Sequence, residues 1–415
     1  MIRKRKSIRK RIPILVVGDA AAPTGFARVL HSILDRVKHK YEIHHLGVNY
    51  SGDPHEADWK IYVARIGGDV YGLNRLQRLI EVTKPRLVFM VNDVWILGRY
   101  APILKKYKDN LKTVMYFPID GEPIDSEYVK QLDGVDQLVA YNQFGKRVMQ
   151  QAIDEVRRES PDFISSEIEV IPHGVDAQLF YPYSKKPAIG GVNPGRLRAK
   201  KALLPNTKDF LDSFIVLNAN RNQPRKRIEI TMQGFALFAE NKPDNVKLYL
   251  HMGAEDAGWN LMSLAKRYDI EGRLIISNTN KETPTDSVKR LNMIYNACEV
   301  GINTSLGEGW GLVNFEHAAT GAAQIVPRHT ACEELWQGAA EMLEPVFTVT
   351  VERVLTEGKF VSPKGVAEAL ERFYRDPEYL REMSEAAYLN ATKPEYKWKN
   401  IARQWDALFQ RLLSH

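Results

Sequence analysis

Cysteine is scarce in this sequence, which has only Cys298 and Cys332 among 415 residues. Two cysteines are too few for a disulfide framework, and they lack the second pair of ligands that a structural zinc site needs. Long apolar runs are also missing, since stretches such as Leu87 to Val91 fall far short of the ~18 residues of a membrane span. The composition therefore excludes disulfide-rich domains and integral membrane proteins built from helices.

Several short motifs are absent as well. The chain has no Asp-x-Asp triplet, no G-x-G-x-x-G fingerprint and no P-loop spacing. The first absence argues against one common kind of metal site, and the other two argue against NAD enzymes and ATPases. The basic N-terminus is followed by only a brief apolar stretch, which does not resemble a secretory signal, so we expect a cytoplasmic protein.

Positive charge is concentrated at the N-terminus. The net charge is +7, and residues 1–11 contain seven basic residues and no acidic ones: Arg3, Lys4, Arg5, Lys6, Arg9, Lys10 and Arg11. The remaining 51 basic residues balance the 51 acidic ones. This tail is either a solvated end or an arm that binds an anionic membrane surface or DNA.

The rest of the chain alternates strand-like and helical segments, which predicts an α/β fold with parallel sheets covered on both faces. One series runs from Ile12 to Val170 and a second begins near Phe214. A proline-rich, basic stretch lies between them and predicts a linker. We therefore predict a tail at 1–11, a Rossmann-like domain at 12–175, a linker at 176–212 and a second Rossmann-like domain at 213–395. A terminal helix at 396–413 is expected to pack back on the first domain.

The most informative segment lies between Asn303 and Gly321. Glu308 is followed by Gly309, Trp310, Gly311 and Leu312, and then by Glu316 eight residues after the first glutamate. Glycines allow the backbone to bend sharply and approach a ligand closely. The helical spacing from Leu312 onward places both carboxylates near a helix start, where they could address one ligand or simply cap the helix.

This segment resembles the E-x(7)-E signature of retaining GT-B glycosyltransferases, particularly those of family 4. Residues 170–182 resemble the interdomain segment of that family, with His173 in place of asparagine. Residues 221–226 resemble the segment that brings an arginine and a lysine onto the donor diphosphate, here Arg221 and Lys226. The resemblance implies two Rossmann-like domains facing across a cleft, with acceptor binding in the first and nucleotide-sugar binding in the second.

The resemblance also implies roles for individual residues. Glu308 would bind the donor sugar near the reacting carbon, and Glu316 would bind the ribose hydroxyls. The amides of Gly309, Trp310, Gly311 and Leu312 would serve the sugar or phosphates, and Gly25 would lie in the first glycine loop. Many family members have a histidine where this chain offers Asp120 and Glu122, so Asp120 is our candidate for the acceptor-side base.

These expectations describe a retaining hexosyltransferase that uses a UDP- or GDP-sugar without metal or other cofactor. The expected acceptor is a hydroxyl group of a glycan or lipid-linked saccharide, with the enzyme soluble or peripheral at the inner membrane surface. Three alternatives remain open at this stage: a glycosyltransferase acting on modified DNA bases, a non-hydrolysing nucleotide-sugar 2-epimerase, and a non-catalytic nucleic-acid-binding protein.

Overall fold

The computed structural model describes residues 11–21, 24–184, 193–203, 211–278, 284, 286–352 and 354–414. The basic tail lies outside these residues except for Arg11, as do parts of the predicted linker. The chain divides into two compact units. Among the described residues, no helix combines the length and apolar character needed to cross a membrane.

The first unit comprises Met1–Pro118, Ile124–Pro172 and Trp398–His415. Its strands are β1 (Ile12–Asp19), β2 (Tyr41–Val48), β3 (Lys60–Val63), β4 (Leu87–Val91), β5 (Lys112–Phe117), β6 (Gln137–Ala140) and β7 (Glu169–Val170). Its helices are α1 (Gly25–Val37), α2 (Leu73–Thr83), α3 (Val94–Leu104), α4 (Ser126–Lys130), α5 (Gln143–Glu159) and α14 (Trp398–Leu413). The seven strands form one parallel sheet in the order β3-β2-β1-β4-β5-β6-β7.

The terminal helix α14 packs on this first sheet. The Trp405 ring lies 4.6 Å from that of Phe89 and 4.8 Å from that of Tyr116. Trp405 is fully buried, and Asp406 accepts a 2.9 Å hydrogen bond from the Tyr41 hydroxyl. The last helix therefore belongs to the core of the first unit although the 225 residues His173–Lys397 of the second unit separate it from the rest of the first unit in the chain.

The second unit comprises Ile119–Pro123 and His173–Lys397. Its helices are α6 (Pro194–Leu203), α7 (Ile228–Ala239), α8 (Leu261–Arg267), α9 (Val288–Ala297), α10 (Leu312–Ala318), α11 (Thr330–Trp336), α12 (Pro363–Arg375) and α13 (Pro377–Ala391). Its parallel sheet, in the order β10-β9-β8-β11-β12-β13, contains β8 (Phe214–Asn218), β9 (Val246–Gly253), β10 (Leu274–Asn278), β11 (Val300–Ile302), β12 (Ala323–Pro327) and β13 (Glu341–Leu343). These two parallel α/β units confirm the predicted fold class.

Two features differ from the sequence expectation. The sequence predicts that residues 119–123 belong to the first domain, but they group with the second unit because Glu122 pairs through its backbone with Glu357. An antiparallel hairpin also interrupts the strand and helix alternation of the second unit. It consists of β14 (Pro345–Thr350) and β15 (Glu357–Val361).

Candidate functional site

The glutamate segment forms a loop between a buried strand and a short helix. β11 ends at Ile302, and α10 begins at Leu312 directly after Gly311, whose φ of 83° lies in the left-handed region. Glycine adopts this backbone conformation without the strain that a Cβ would introduce. Glu308 lies within the loop and Glu316 in the second turn of the helix, and both are almost completely buried.

The carboxylate of Glu308 is held by three donors. Its Oε1 atom accepts hydrogen bonds from Asn303 Nδ2 at 3.0 Å and from Ser305 Oγ at 2.9 Å. It also forms a buried ion pair with the ammonium group of Lys226. One ion pair and two hydrogen bonds from neutral donors therefore fix this carboxylate in the unliganded site.

Burial and neighbouring charges together shift the pKa values of Glu308 and Lys226. Burial by itself raises the pKa of the Glu308 carboxyl, but the positive charges of Lys226 and Arg225 outweigh it and lower that pKa to about 2. Burial and the neighbouring Arg225 lower the pKa of the Lys226 ammonium, with Glu308 acting in the opposite direction. Glu308 is thus a stable anion at neutral pH, whereas Lys226 needs an anionic partner to keep its charge.

Local backbone structure brings Lys226 to the glutamate loop. Residues 224–226 form one turn of 3-10 helix after β8, and Arg227, with a φ of 49°, is the N-cap residue that precedes α7. The Leu306 N–H donates to the Arg225 carbonyl at 2.9 Å, and the Thr304 hydroxyl donates to the Arg227 carbonyl at 2.9 Å. These bonds tie together the loops that follow the adjacent strands β8 and β11.

Arg221 lies in the same β8 loop but has a different partner. Its Nε atom donates to Asp256 Oδ2 at 2.7 Å and its Nη2 atom to Asp256 Oδ1 at 3.2 Å. Burial raises the pKa of the Asp256 carboxyl, but Arg221 and the backbone N–H of Ala257 together outweigh this and lower it overall. The Arg221 side chain is half-exposed, so its guanidinium is oriented from one side and open on the other.

Glu316 has a hydrogen-bond partner that differs from those of Glu308. The Tyr295 hydroxyl donates to its Oε2 atom at 3.3 Å. A chain of buried amides extends from Asn303, a partner of Glu308, since Asn303 donates to Asn314 and Asn314 donates to Gln324. Such a network of satisfied buried polar groups favours a single geometry for the loop.

The structure places Asp120 in the second unit, next to the glutamate loop. Its carboxylate lies 3.5 Å from the guanidinium of Arg225, which also donates to the Gly307 carbonyl at 3.3 Å. A Cβ at Gly307 would overlap the backbone carbonyl oxygen of Asp120. Gly307 is therefore required for the close approach of the two segments.

We expect Gly307→Ala to destabilise the second unit by about 1–3 kcal/mol, because backbone atoms would have to move apart. Gly272→Ala is the matched control, since a Cβ at Gly272 meets no atom within 4 Å. Urea unfolding followed by circular dichroism measures both variants. Equal midpoints for the two would contradict the close approach of residue 120 to residue 307.

The remaining predicted residues lie at several depths. The Trp310 side chain is buried against the rings of Phe315 and His173. Only the backbone of Trp310 is therefore available to a nucleotide sugar. Gly309 and Leu312 flank it in the loop and at the helix start. Gly25 belongs to the first unit, where it is the first residue of α1 after the capping residue Thr24.

Sequence reasoning missed three residues that shape the site. Asn303 and Ser305 lie in the motif segment, and their polar side chains just after a strand were an available signal. Asp256 gave no signal, because it is 35 residues from Arg221 in the chain and only the pairing of β8 with β9 brings them together.

Parts of the sequence match known glycosyltransferases. Residues 258–407 match the family described as glycosyl transferase-like. D-inositol 3-phosphate glycosyltransferase of Nocardiopsis dassonvillei is 26% identical over 212 residues, which are 50% of this chain. The match spans 45% of that relative.

Two of the similar solved structures align with 97% of this chain, and each alignment includes the full length of the other protein's chain. Sucrose-phosphate synthase from Thermosynechococcus elongatus has a TM-score of 0.70 at 16% identity. The Anabaena protein HepE, solved in complex with UDP and glucose, has a TM-score of 0.71 at 14% identity. The chain therefore has the GT-B fold and resembles the family 4 glycosyltransferases.

Proposed function

We propose that this GT-B chain is a retaining glycosyltransferase that moves a sugar from a nucleoside diphosphate sugar to a hydroxyl acceptor. The observation that carries the proposal is the buried pair of Lys226 and Glu308 at the ends of two adjacent strands. It joins the cation expected at the donor diphosphate to the carboxylate expected at the donor sugar. Glu316, in the helix that follows, is the proposed ligand of the ribose hydroxyls.

The unliganded site has hydrogen-bonding capacity for a diphosphate. An ammonium group has three donors, and among the described residues Lys226 Nζ donates only to Glu308. The half-exposed guanidinium of Arg221 likewise has donors beyond the two used by Asp256. Anionic phosphate oxygens would satisfy these donors and offset the burial of the Lys226 charge.

The proposed reaction breaks the bond between the anomeric carbon and the diphosphate oxygen. Negative charge then develops on the phosphate, where Lys226 and Arg221 stabilise it. The acceptor oxygen forms the new bond on the same face of the sugar and loses its proton to a leaving phosphate oxygen. Asp120 is the proposed alternative proton acceptor, since it lies beside the glutamate loop.

The acceptor class that we favour is a hydroxyl of a phosphorylated sugar or cyclic polyol. Two of the similar proteins are named for such compounds, sucrose-phosphate and D-inositol 3-phosphate. Transfer of the sugar to a glycan, to a lipid-linked saccharide or to DNA stays a prediction. Binding of the basic tail to a membrane or to DNA also stays a prediction.

Release of nucleoside diphosphate tests the proposal. The protein is incubated with UDP- and GDP-sugars, each with glucose 6-phosphate or inositol 3-phosphate, and UDP or GDP is quantified. We expect acceptor-dependent release with one donor and a glycosylated product by mass spectrometry. Absence of release with every pair would contradict the proposed donor and acceptor classes.

The lowered pKa of Lys226 predicts a pH dependence for donor binding. The charged ammonium binds a diphosphate and the neutral amine does not, so affinity for the preferred nucleoside diphosphate should fall as pH rises through the pKa of Lys226. Because that pKa lies below the ordinary 10.5, the loss should begin at a lower pH than for an exposed lysine.

Isothermal titration at a series of pH values from about 7.5 to 10 measures this effect, since the diphosphate itself stays fully ionised over most of that range. In Arg221→Ala, binding should be weaker at every pH while the profile keeps its shape, because an arginine stays charged throughout. A flat profile for the unaltered protein up to pH 10 would contradict the assignment of Lys226.

A further inference from the structure

Trp259 is a large aromatic residue that the donor site does not use. It lies in the loop after β9, and 44% of it is exposed. The chain fixes it firmly despite this exposure. The buried Asn222 side chain accepts a 3.0 Å hydrogen bond from the Trp259 N–H and donates a 2.7 Å bond to its carbonyl.

The indole itself is also anchored. Its Nε1 atom donates to Glu229 Oε2 at 2.7 Å, in the first turn of α7. The polar group of the ring is therefore already satisfied, and the exposed part of the ring is apolar. A rigid, exposed aromatic surface loses little conformational entropy when a ring stacks on it.

The strand order of the sheet shows where a ring stacked on Trp259 would lie relative to the proposed donor. In the sheet, β8 lies between β9 and β11. The proposed donor contacts are all on the loops and helix that follow β8 and β11, namely Arg221, Lys226, Glu308 and Glu316. The β9 loop, which carries Trp259, follows the strand on the other side of β8. It therefore lies on the opposite side of Arg221 from Glu316, the proposed ribose ligand.

We infer that Trp259 is the stacking residue of an acceptor subsite in the second unit, which adds to the acceptor binding that the resemblance assigns to the first domain, and that this subsite takes the apolar C–H face of a sugar or cyclic polyol ring. This inference rests on the proposed function, because it assigns the donor to the neighbouring loops. Asn222 connects the two sites directly, since it follows Arg221 in the chain and holds the backbone of Trp259. An acceptor on the indole would therefore lie beside the guanidinium of the donor site.

Saturation-transfer difference NMR tests the subsite with three probes: glucose 6-phosphate, inositol 3-phosphate and methyl α-D-glucopyranoside. Each probe is titrated into the protein saturated with UDP or GDP. We expect ring C–H signals from at least one probe, and we expect its affinity to fall about 2- to 10-fold in Trp259→Ala, the range of an aromatic stacking contact. Trp259→Phe, which keeps an aromatic face, should restore most of the affinity.

Met262→Ala is the matched control, because Met262 is a similarly exposed apolar residue (49%) in α8, three positions further on. It should bind the probe as the unaltered protein does. Equal affinities in Trp259→Ala and the unaltered protein, or no ring signal from any probe, would overturn the acceptor subsite. Failure of UDP and GDP to raise the melting temperature of the unaltered protein would instead count against the donor site.

Discussion

Lys226→Met is expected to weaken binding of the nucleoside diphosphate by about 1.5–3 kcal/mol, which is roughly 10- to 150-fold. Methionine keeps most of the side-chain volume and removes the charge that we assign to the diphosphate. The substitution also leaves Glu308 buried without its cation, and breaking a buried pair in this way costs about 3–5 kcal/mol of folding stability. Protonation of Glu308 would offset part of that cost.

Two measurements separate these effects: isothermal titration gives the affinity, and urea unfolding gives the stability. Lys242→Met is the matched control, because Lys242 pairs with Glu371 at 2.5 Å within the same unit and has no assigned role. This control should leave the affinity unchanged. An unaltered affinity in Lys226→Met itself would rule out Lys226 as a ligand of the diphosphate.

Glu308→Gln is expected to lower sugar transfer by a factor of about 10²–10³, the cost of removing one electrostatic contact at a reacting centre. The amide keeps the shape of the side chain and its contact with Ser305 but carries no charge next to the anomeric carbon. Affinity for the nucleoside diphosphate should change much less than transfer does, because loss of the competing anion favours diphosphate binding while loss of the anion that keeps Lys226 charged opposes it.

The readout for Glu308→Gln is kcat from product formation, measured beside the dissociation constant of the nucleoside diphosphate. Glu344→Gln is the matched control, because Glu344 is exposed and pairs only with Arg328 among the described residues. We expect full transfer activity from this control. Transfer by Glu308→Gln within about twofold of the unaltered protein would mean that no electrostatic contact of the usual size is lost.

Many strands and helices of the fold can be predicted from local patterns of apolar and polar residues. The apolar run from Ile12 to Val17 predicts the first strand, which extends to Asp19 in the structure. The amphipathic stretch near the C-terminus predicts the last helix, observed at Trp398–Leu413. Both succeed because buried parallel strands and amphipathic helices have strong periodic signatures.

The contacts made over long sequence distances did not follow from such patterns. Residues 119–123 look like an ordinary turn after β5, and their place beside Gly307 depends on packing within the second unit. The hairpin of β14 and β15 was also missed, since an antiparallel pair is unexpected within a parallel α/β series.

The sequence predicted most of the charged residues of the site but not which of them form ion pairs with each other. The resemblance assigns Lys226 to a phosphate and Glu308 to a sugar, and neither assignment suggests that the two side chains contact each other. In the structure without ligand they neutralise each other, and Arg221 and Asp256 do the same. Each pair leaves N–H donors of its cation unused, and these are the donors that we assign to the diphosphate.

The most direct test of the central claim is a crystal structure of the protein with its preferred nucleoside diphosphate bound. We predict diphosphate oxygens within hydrogen-bonding distance of Lys226 Nζ and the Arg221 guanidinium, and the ribose hydroxyls at Glu316. A diphosphate bound away from these side chains, with the pairs of Lys226 with Glu308 and Arg221 with Asp256 intact, would contradict the account.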